Sequence, residues 1–364
     1  MRLWLFPILL APFLQTCPLM AQIPVMNWRQ NIEVERVIGL EYPDAPYKHP
    51  ASITELDNGD LLIAYYGGSD EYATDTAVYG CRKRKGETQW SAPVVLADTP
   101  DCSEGNPVIW QGPDGLVWLF YVNRYGSTWS TSRVKGKISK DGGETWSDSF
   151  ILSFEAGTMV KGAPIVLENG DYLLPAYHET GEDTERTAED TCSYFFRYNP
   201  TAKTWSETGR IRSPEGNLQP EVVQLSADHL ICYIRRGGDF LPTDKGYTLR
   251  SESRDGGQTW SEAKPTEFKN PNAAVAFIKL RNGHLMLIYN DNMNERTPLT
   301  VAVSTDNDKT YPHRRNILGG DNTFAYPYAI QTKDDKIHLV CTTNKRTTIL
   351  HAVFDESAIT EWSW

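Results

Sequence analysis

Positive charge is scarce in this chain: 36 Lys and Arg stand against 47 Asp and Glu in 364 residues, a formal net charge of −11. A nucleic-acid binder neutralises phosphates with clustered basic side chains. The only short basic run here is Arg82-Lys83-Arg84-Lys85, which reads as a solvated strand end, so nucleic acid is excluded as a partner. After the first 21 residues no apolar run is long enough to cross a bilayer, and no transmembrane segment is predicted. Cysteine is also sparse. Cys81, Cys102, Cys192, Cys232 and Cys341 are widely spaced with no Cys-x-x-Cys pair, which excludes a zinc ribbon. Two disulfides are the most they could form, Cys81 and Cys102 being nearest in sequence, and buried free thiols are the other reading. The chain has no glycine-rich phosphate loop after a strand, no His-Glu-x-x-His and no cluster at metal-ligand spacing, so neither cofactor nor metal is implied.

The one long apolar stretch lies at the start. Met1-Arg2 is followed by nearly uninterrupted apolar sequence from Leu3 to Met20, with the small residue Ala21 before Gln22. This is the pattern of a signal peptide over residues 1–21. It predicts an exported chain, secreted or periplasmic, whose residues 22–364 form one unit. Gln15 and Thr16 are poor choices in the two positions before a lipidated Cys17, which weighs against lipoprotein anchoring.

Aromatic and turn-forming residues are abundant: 11 Trp, 18 Tyr, 27 Gly and 22 Pro favour strands over helices. They are also periodic. A turn pair followed by an apolar strand recurs at Asn58-Gly59, Asp114-Gly115, Asn169-Gly170, Ala227-Asp228, Asn282-Gly283 and Asp334-Asp335, at separations of 52 to 58 residues. Asn-Gly and Asp-Gly pairs predict type I′ hairpins with both central residues at positive φ. A second series, Trp90, Trp146, Trp205, Trp260, Tyr311 and Trp362, has nearly the same period, out of phase with the first. Units of about four strands in about 55 residues match the blades of a propeller. The predicted fold is all-β, a six-bladed β-propeller, with residues near Ile32 to Leu40 completing the last blade.

Three members of the second series carry a sharper motif: Ser139-x-Asp141-x-Gly143-x-Thr145-Trp146, Ser253-x-Asp255-x-Gly257-x-Thr259-Trp260 and the worn Ser304-x-Asp306 through Thr310-Tyr311. This is the Asp box, a hairpin whose short polar side chains bond the turn backbone while the aromatic packs between sheets. The motif resembles that of the bacterial sialidase superfamily, in a diverged branch of predicted neuraminidases. It speaks for the fold, since in that family the box sits away from any pocket.

In a propeller, the start of each innermost strand and the end of each second strand lie at one mouth of the channel. The first ring reads His49, Asn106, Lys161, Gln219, Asn270 or Asn272, and Tyr326, several of them just before Pro. The second reads Glu71 with Asp75, Asn123-Arg124, His178-Glu179, Arg235-Arg236, Asn290 with Arg296, and Asn344 with Arg346. Carboxylates and guanidiniums converging on one mouth suit an acidic sugar, because arginine forks hold carboxylates. His313, His338 and His351 lie at strand or turn positions and read as structural.

The resemblance to sialidases implies three arginines for the substrate carboxylate, a Tyr nucleophile paired with a Glu, and an Asp general acid. On this sequence it implies Arg296 and Arg236 as two of the arginines, with Arg235 one residue away, and Tyr326 as the nucleophile. Asp75 falls near the acid, with Glu71 as its competitor. Two positions depart from the pattern: Lys48-His49-Pro50 stands where the first arginine is expected, leaving two of three charges, and Gln219 stands where the Glu partner is expected. The reading is an exo-acting glycoside hydrolase on a terminal acidic sugar, with His49, Tyr326, Asp75 and Glu71 as catalytic candidates. Arg236, Arg296, Gln219, Lys161, Asn106, Glu179 and Asn290 are its substrate-binding candidates. Two alternatives stand beside it: a polysaccharide lyase that uses His49 and Tyr326 on uronates, and a propeller that binds acidic carbohydrate without catalysis.

Overall fold

The computed structural model describes residues 31–361. The signal-peptide stretch, Cys17 and Trp362 lie outside the described residues. Six antiparallel sheets are arranged around an axis, each running from an innermost strand to a rim strand. Blade 1 comprises Tyr47–Glu55, Leu61–Gly68, Ala77–Lys83 and Val94–Ala97, and blade 2 Ser103–Gln111, Val117–Arg124, Ser132–Ser139 and Phe150–Ile151. Blade 3 has a divided inner strand, Thr158–Val160 and Ile165–Val166, then Tyr172–His178, Cys192–Asn199 and Thr204–Glu207. Blade 4 comprises Asn217–Gln224, Leu230–Arg236, Tyr247–Ser253 and Lys264–Lys269, and blade 5 Ala276–Lys279, Leu285–Asn290, Leu299–Ser304 and His313–Leu318. In blade 6, Ala325–Gln331, Ile337–Thr343 and Thr348–Phe354 are joined at the rim by Ile32–Ile38.

The six-bladed propeller expected from the repeat is therefore the fold. Its ring is closed by the early strand, in antiparallel register from Ile32 opposite Phe354 to Ile38 opposite Ile349. Second strands such as Leu61–Gly68 and Val117–Arg124 are buried along their whole length. Neighbouring sheets cover both of their faces, so they read as continuous apolar runs rather than as alternating ones. All five cysteines in the described residues are free thiols, so neither possible disulfide is formed.

The repeating hairpin differs from the expected type I′ turn. Only its last loop residue is at positive φ, as at Gly59 (86°), Gly170 (88°) and Asp335 (69°). Gly59 N–H donates to Leu56 O and Leu56 N–H to Asp60 O, and the same pair of bonds recurs at Leu167 and Leu280. This is a type I turn followed by a left-handed residue, which needs one glycine-like position rather than two. The Asp boxes lie on the turns between third and fourth strands, at the face opposite the mouth that holds both polar rings. Ser139 Oγ accepts Gly143 N–H at 2.7 Å, and Asp141 accepts Thr145 N–H at 2.9 Å. In the worn copy Asn307 and Asp308 take the left-handed conformation that Gly142 and Gly143 occupy in the full one.

Ring closure has a polar centre. Glu35 on the closing strand accepts hydrogen bonds from His351 Nδ1 at 2.8 Å, Lys83 Nζ at 2.9 Å and Trp90 Nε1 at 3.0 Å, so one carboxylate joins blade 6 to blade 1. His351 Nε2 is in turn 2.9 Å from His338 Nδ1. Burial works to raise the Glu35 pKa, but the bonds from His351, Lys83 and Trp90 outweigh it and bring the carboxyl from 4.5 to about 2. A carboxyl with a depressed folded pKa contributes stability that is full above its unfolded pKa and is lost as pH falls through the folded one. Glu35→Gln is therefore expected to lower the denaturation midpoint relative to wild type above pH 4.5, with the gap closing toward about pH 2. A midpoint difference that stays constant through that window contradicts the assignment.

Candidate active site

The inner ring of polar side chains turns to the mouth because four of the six inner strands are kinked where they begin. Register shifts interrupt the ladders between His49 and Ala51, Gly105 and Val108, Leu218 and Pro220, and Ala325 and Tyr328. Proline cannot donate to the ladder, and the residues before three of these prolines are left-handed: Asn106 (φ 44°), Gln219 (55°) and Tyr326 (54°). Non-glycine residues in that region cost about 1–3 kcal/mol each and persist only where their surroundings hold them. The kink turns each of these side chains toward the axis.

Tyr326 lies at the centre of the resulting cleft, which encloses about 530 Å³ of space, part of it open to solvent. Its hydroxyl receives Arg235 Nη1 at 2.8 Å and Gln219 Nε2 at 3.1 Å. Arg296 stacks its guanidinium 5.5 Å from the Tyr326 ring centre and donates to Asn272 O at 3.1 Å. Arg346 lines the same cleft, paired with Glu71 and donating to Tyr47 Oη at 2.9 Å. It is carried by three consecutive left-handed residues, Asn344, Lys345 and Arg346, whose φ values run from 50° to 64°. Such runs are disfavoured by about 1–2 kcal/mol per residue. The turn is anchored to blade 1 by Lys48 N–H donating to Arg346 O at 2.7 Å. Three guanidiniums from blades 4, 5 and 6 thus face one space, rimmed by Tyr72, Trp129 and Phe240.

The profile of the BNR repeat-like domain matches residues 59–339. The chain belongs to the BNR repeat-like family. Solved structures with the same fold include the Hadza microbial sialidase Hz136, 15% identical, with 90% of this chain and 69% of that one covered at a TM-score of 0.74. The NanB sialidase of Streptococcus pneumoniae is 10% identical over 93% of this chain and 72% of its own, with a TM-score of 0.73. The leech intramolecular trans-sialidase, complexed with 2,7-anhydro-Neu5Ac, is 12% identical over 91% and 71%, with a TM-score of 0.72. At these identities the likeness is one of fold. No curated protein sequence matches the chain.

Within this BNR repeat-like propeller the expected site residues separate into two groups. Tyr326, Gln219, Asn106, Arg296, Glu71 and Glu179 all line the cleft. Asn106 Nδ2 donates to Tyr177 Oη at 3.0 Å. Burial pushes the Glu179 carboxyl up to about 7, against the pull of Arg235 and with the repulsion of Glu71. His49 stands behind Tyr326, 1% exposed, with ring centres 4.2 Å apart and Nδ1 2.7 Å from Thr342 Oγ1. Burial first, then Arg346, Arg296, Arg235 and Lys161, hold its imidazole well below 6.5, in the neutral form.

Four expectations are corrected by position. Arg236 turns away from the cleft and donates to the carbonyls of Asn270 at 3.2 Å and Gly237 at 3.1 Å. Arg235 takes its place, because side chains alternate along a strand and only one of two adjacent arginines can face the axis. Asp75 faces outward, accepting Ser69 N–H and Oγ–H, both at 3.0 Å. Asn290 donates to Phe324 O at 3.0 Å and Pro298 O at 3.3 Å, bracing the loop that carries Arg296. Lys161 is in the channel beneath the cleft, where Nζ reaches Glu221 Oε1 at 2.9 Å, Val275 O at 2.8 Å and Pro327 O at 2.9 Å. The expected loss of one of three charges is also corrected. Lys48 bonds Ala45 O at 2.6 Å, away from the cleft, while Arg346 fills the gap from the neighbouring blade. The positive-φ run that presents Arg346 leaves no mark in the sequence, and the aromatic rim of Tyr72, Trp129 and Phe240 comes from loops without periodicity.

Lys161 and Glu221 are 3% and 2% exposed, so each charge depends on the other. Removing one partner of a buried pair strands the other charge, at a cost of about 3–5 kcal/mol. Lys161→Met is expected to destabilise the chain by that amount in a denaturant titration. Combining it with Glu221→Leu should recover most of the loss. A double variant no more stable than the single one refutes the pairing.

Proposed function

We propose that the chain is a glycoside hydrolase of sialidase type, removing a terminal acidic sugar from a glycan. The observation that carries this reading is the set of three guanidiniums in the cleft of Tyr326: Arg235 bonded to its hydroxyl, Arg296 over its ring, and Arg346 lining the same space. Two of them suffice to fork a carboxylate, and the tyrosine oxygen shares the cleft with them. Naming the fold relatives sialidases adds weight to the same substrate class.

In the reaction, Tyr326 Oη, once free of its proton, bonds to the anomeric carbon as the bond to the leaving oxygen breaks. Glu179, with its carboxyl raised to about 7, donates its proton to that oxygen. It then takes a proton from the water that displaces Tyr326. Glu71 is engaged by Arg346 and Tyr66, and of the other two cleft carboxyls, Glu179 and Glu185, Glu179 is the one that burial raises. The lyase alternative is weaker, since it needs His49 at the substrate and His49 lies behind Tyr326.

Mass spectrometry of products from sialylated glycans and uronate polysaccharides tests the proposal. Products bearing one added water, lost in Tyr326→Phe, support hydrolysis, whereas unsaturated uronate ends or unaltered substrates contradict it. The acid role makes a sharper expectation. Glu179→Gln should slow cleavage of a natural glycoside by about 10²–10⁴-fold while largely sparing an activated aryl glycoside, whose leaving group needs no proton. Equal losses on both substrates would remove Glu179 from that role.

A further inference from the structure

The hydroxyl of Tyr326 is surrounded by donors. Arg235 Nη1 approaches at 2.8 Å and Gln219 Nε2 at 3.1 Å. The orientation of the Gln219 amide follows from its other neighbour: Arg235 carries only donors, so the amide oxygen must face its Nη1, at 3.1 Å, and the NH₂ must face the tyrosine. Asn272 Oδ1 accepts Arg235 Nε at 2.7 Å and fixes the guanidinium in turn. Both partners that bond the phenolic oxygen thus bring hydrogens to it.

The charges around it point the same way. Blade 4 contributes Arg235, the blade 5 loop Arg296 and the blade 6 hairpin Arg346, and Lys161 lies beneath, bonded to Pro327 O at 2.9 Å. Blade 1 contributes neutral His49 and Glu71, whose charge is taken up by Arg346. Blade 3 contributes Tyr177, whose phenol is pushed well above its ordinary range by burial, and Glu179. Glu221 pairs with Lys161, Glu71 pairs with Arg346, and Glu185 also lines the cleft, so the cations left to act on the phenolic oxygen are Arg235, bonded to it, and Arg296 over the ring, in a site where low dielectric strengthens each interaction.

We propose that Tyr326 rests as a phenolate in the free protein, its proton released to bulk water before substrate arrives, and that Gln219 removes the need for a general base. This rests on the reading of Tyr326 as the nucleophile and deepens it: the residue that breaks the sialidase pattern becomes a device for ionising the tyrosine. Burial opposes the ionisation, but Arg235, Arg296 and the Gln219 hydrogen bond outweigh it and lower the phenol below 10. A glutamate at the same position would offer an acceptor to the phenolic proton and place a second negative charge beside the oxygen, both of which favour the neutral phenol.

Ultraviolet titration of tyrosinate absorbance tests this without any substrate. The neighbouring Tyr47, Tyr66 and Tyr177 are pushed up by burial and stay silent in the window of interest. Wild type is expected to carry one tyrosine's worth of tyrosinate absorbance at neutral pH, lost in a one-tyrosine step on acidification, that Tyr326→Phe lacks. Gln219→Glu, which keeps the tyrosine, should move that step to higher pH. Wild-type and Tyr326→Phe absorbances that superimpose at neutral pH overturn the proposal, as does a step that Gln219→Glu leaves in place. The function fails separately: a chain that cleaves no glycan still reports its tyrosinate, and an active chain with superimposed curves keeps its activity and loses the phenolate.

Discussion

One buried ammonium holds the working end of this propeller together. Lys161, in the break of blade 3's inner strand, bonds the Glu221 carboxylate of blade 4, the Val275 carbonyl of blade 5 and the Pro327 carbonyl of blade 6. Its strand can enter the channel there because Gly162 follows. A Cβ at that glycine would lie 2.5 Å from Pro220 O, so no other residue allows the approach of blade 3 to blade 4. The bond to Pro327 O is one residue from Tyr326. The position of the central tyrosine therefore depends on a charge in the channel, beneath any ligand.

The cleft above that lysine concentrates strain and like charge. Left-handed Asn106, Gln219, Asn272, Tyr326 and the run Asn344 to Arg346 are all at this mouth. Arg296 is driven down in pKa by burial and by Arg235 and Arg346, with Tyr326 opposing. The repulsion is relieved by the neighbours: Glu71 answers Arg346, Asn272 answers Arg235, and the phenolic oxygen accepts Arg235 as well. A site with unspent positive charge, built on rigid strand ends, is pre-organised for an anion. The opposite face holds the Asp boxes, whose Ser and Asp side chains bond their own turn backbone while Gly142 O and Gly256 O accept arginines of the preceding blades.

The fold was legible in the sequence because its information is periodic and local. Turn pairs such as Asn58-Gly59 and anchors such as Trp146 repeat at the blade length, and each marks a feature made within a few residues of itself. The closing strand could be placed for the same reason, since the last repeat lacks a rim strand of its own. Even the hairpin type, expected as I′, differed only in how many residues take positive φ. The two rings at the channel mouth also followed from topology, and Tyr326, Gln219, Asn106, Arg296, Glu71 and Glu179 line one cleft accordingly.

By itself, then, the sequence determined the number of blades and the face on which polar residues collect, both of which depend on identity and spacing along the chain. Only the tertiary structure decided which side chains look into the cleft. Strand alternation turns Arg235 inward and Arg236 away, a backbone bond between Arg346 and Lys48 brings blade 6's arginine to the place where blade 1 has none, and Lys161 drops into the channel. Those choices are made by register, φ and contacts between blades far apart in sequence, 166 residues for Lys161 and Pro327 and 299 for Arg346 and Tyr47, and such quantities leave no periodic trace in the chain.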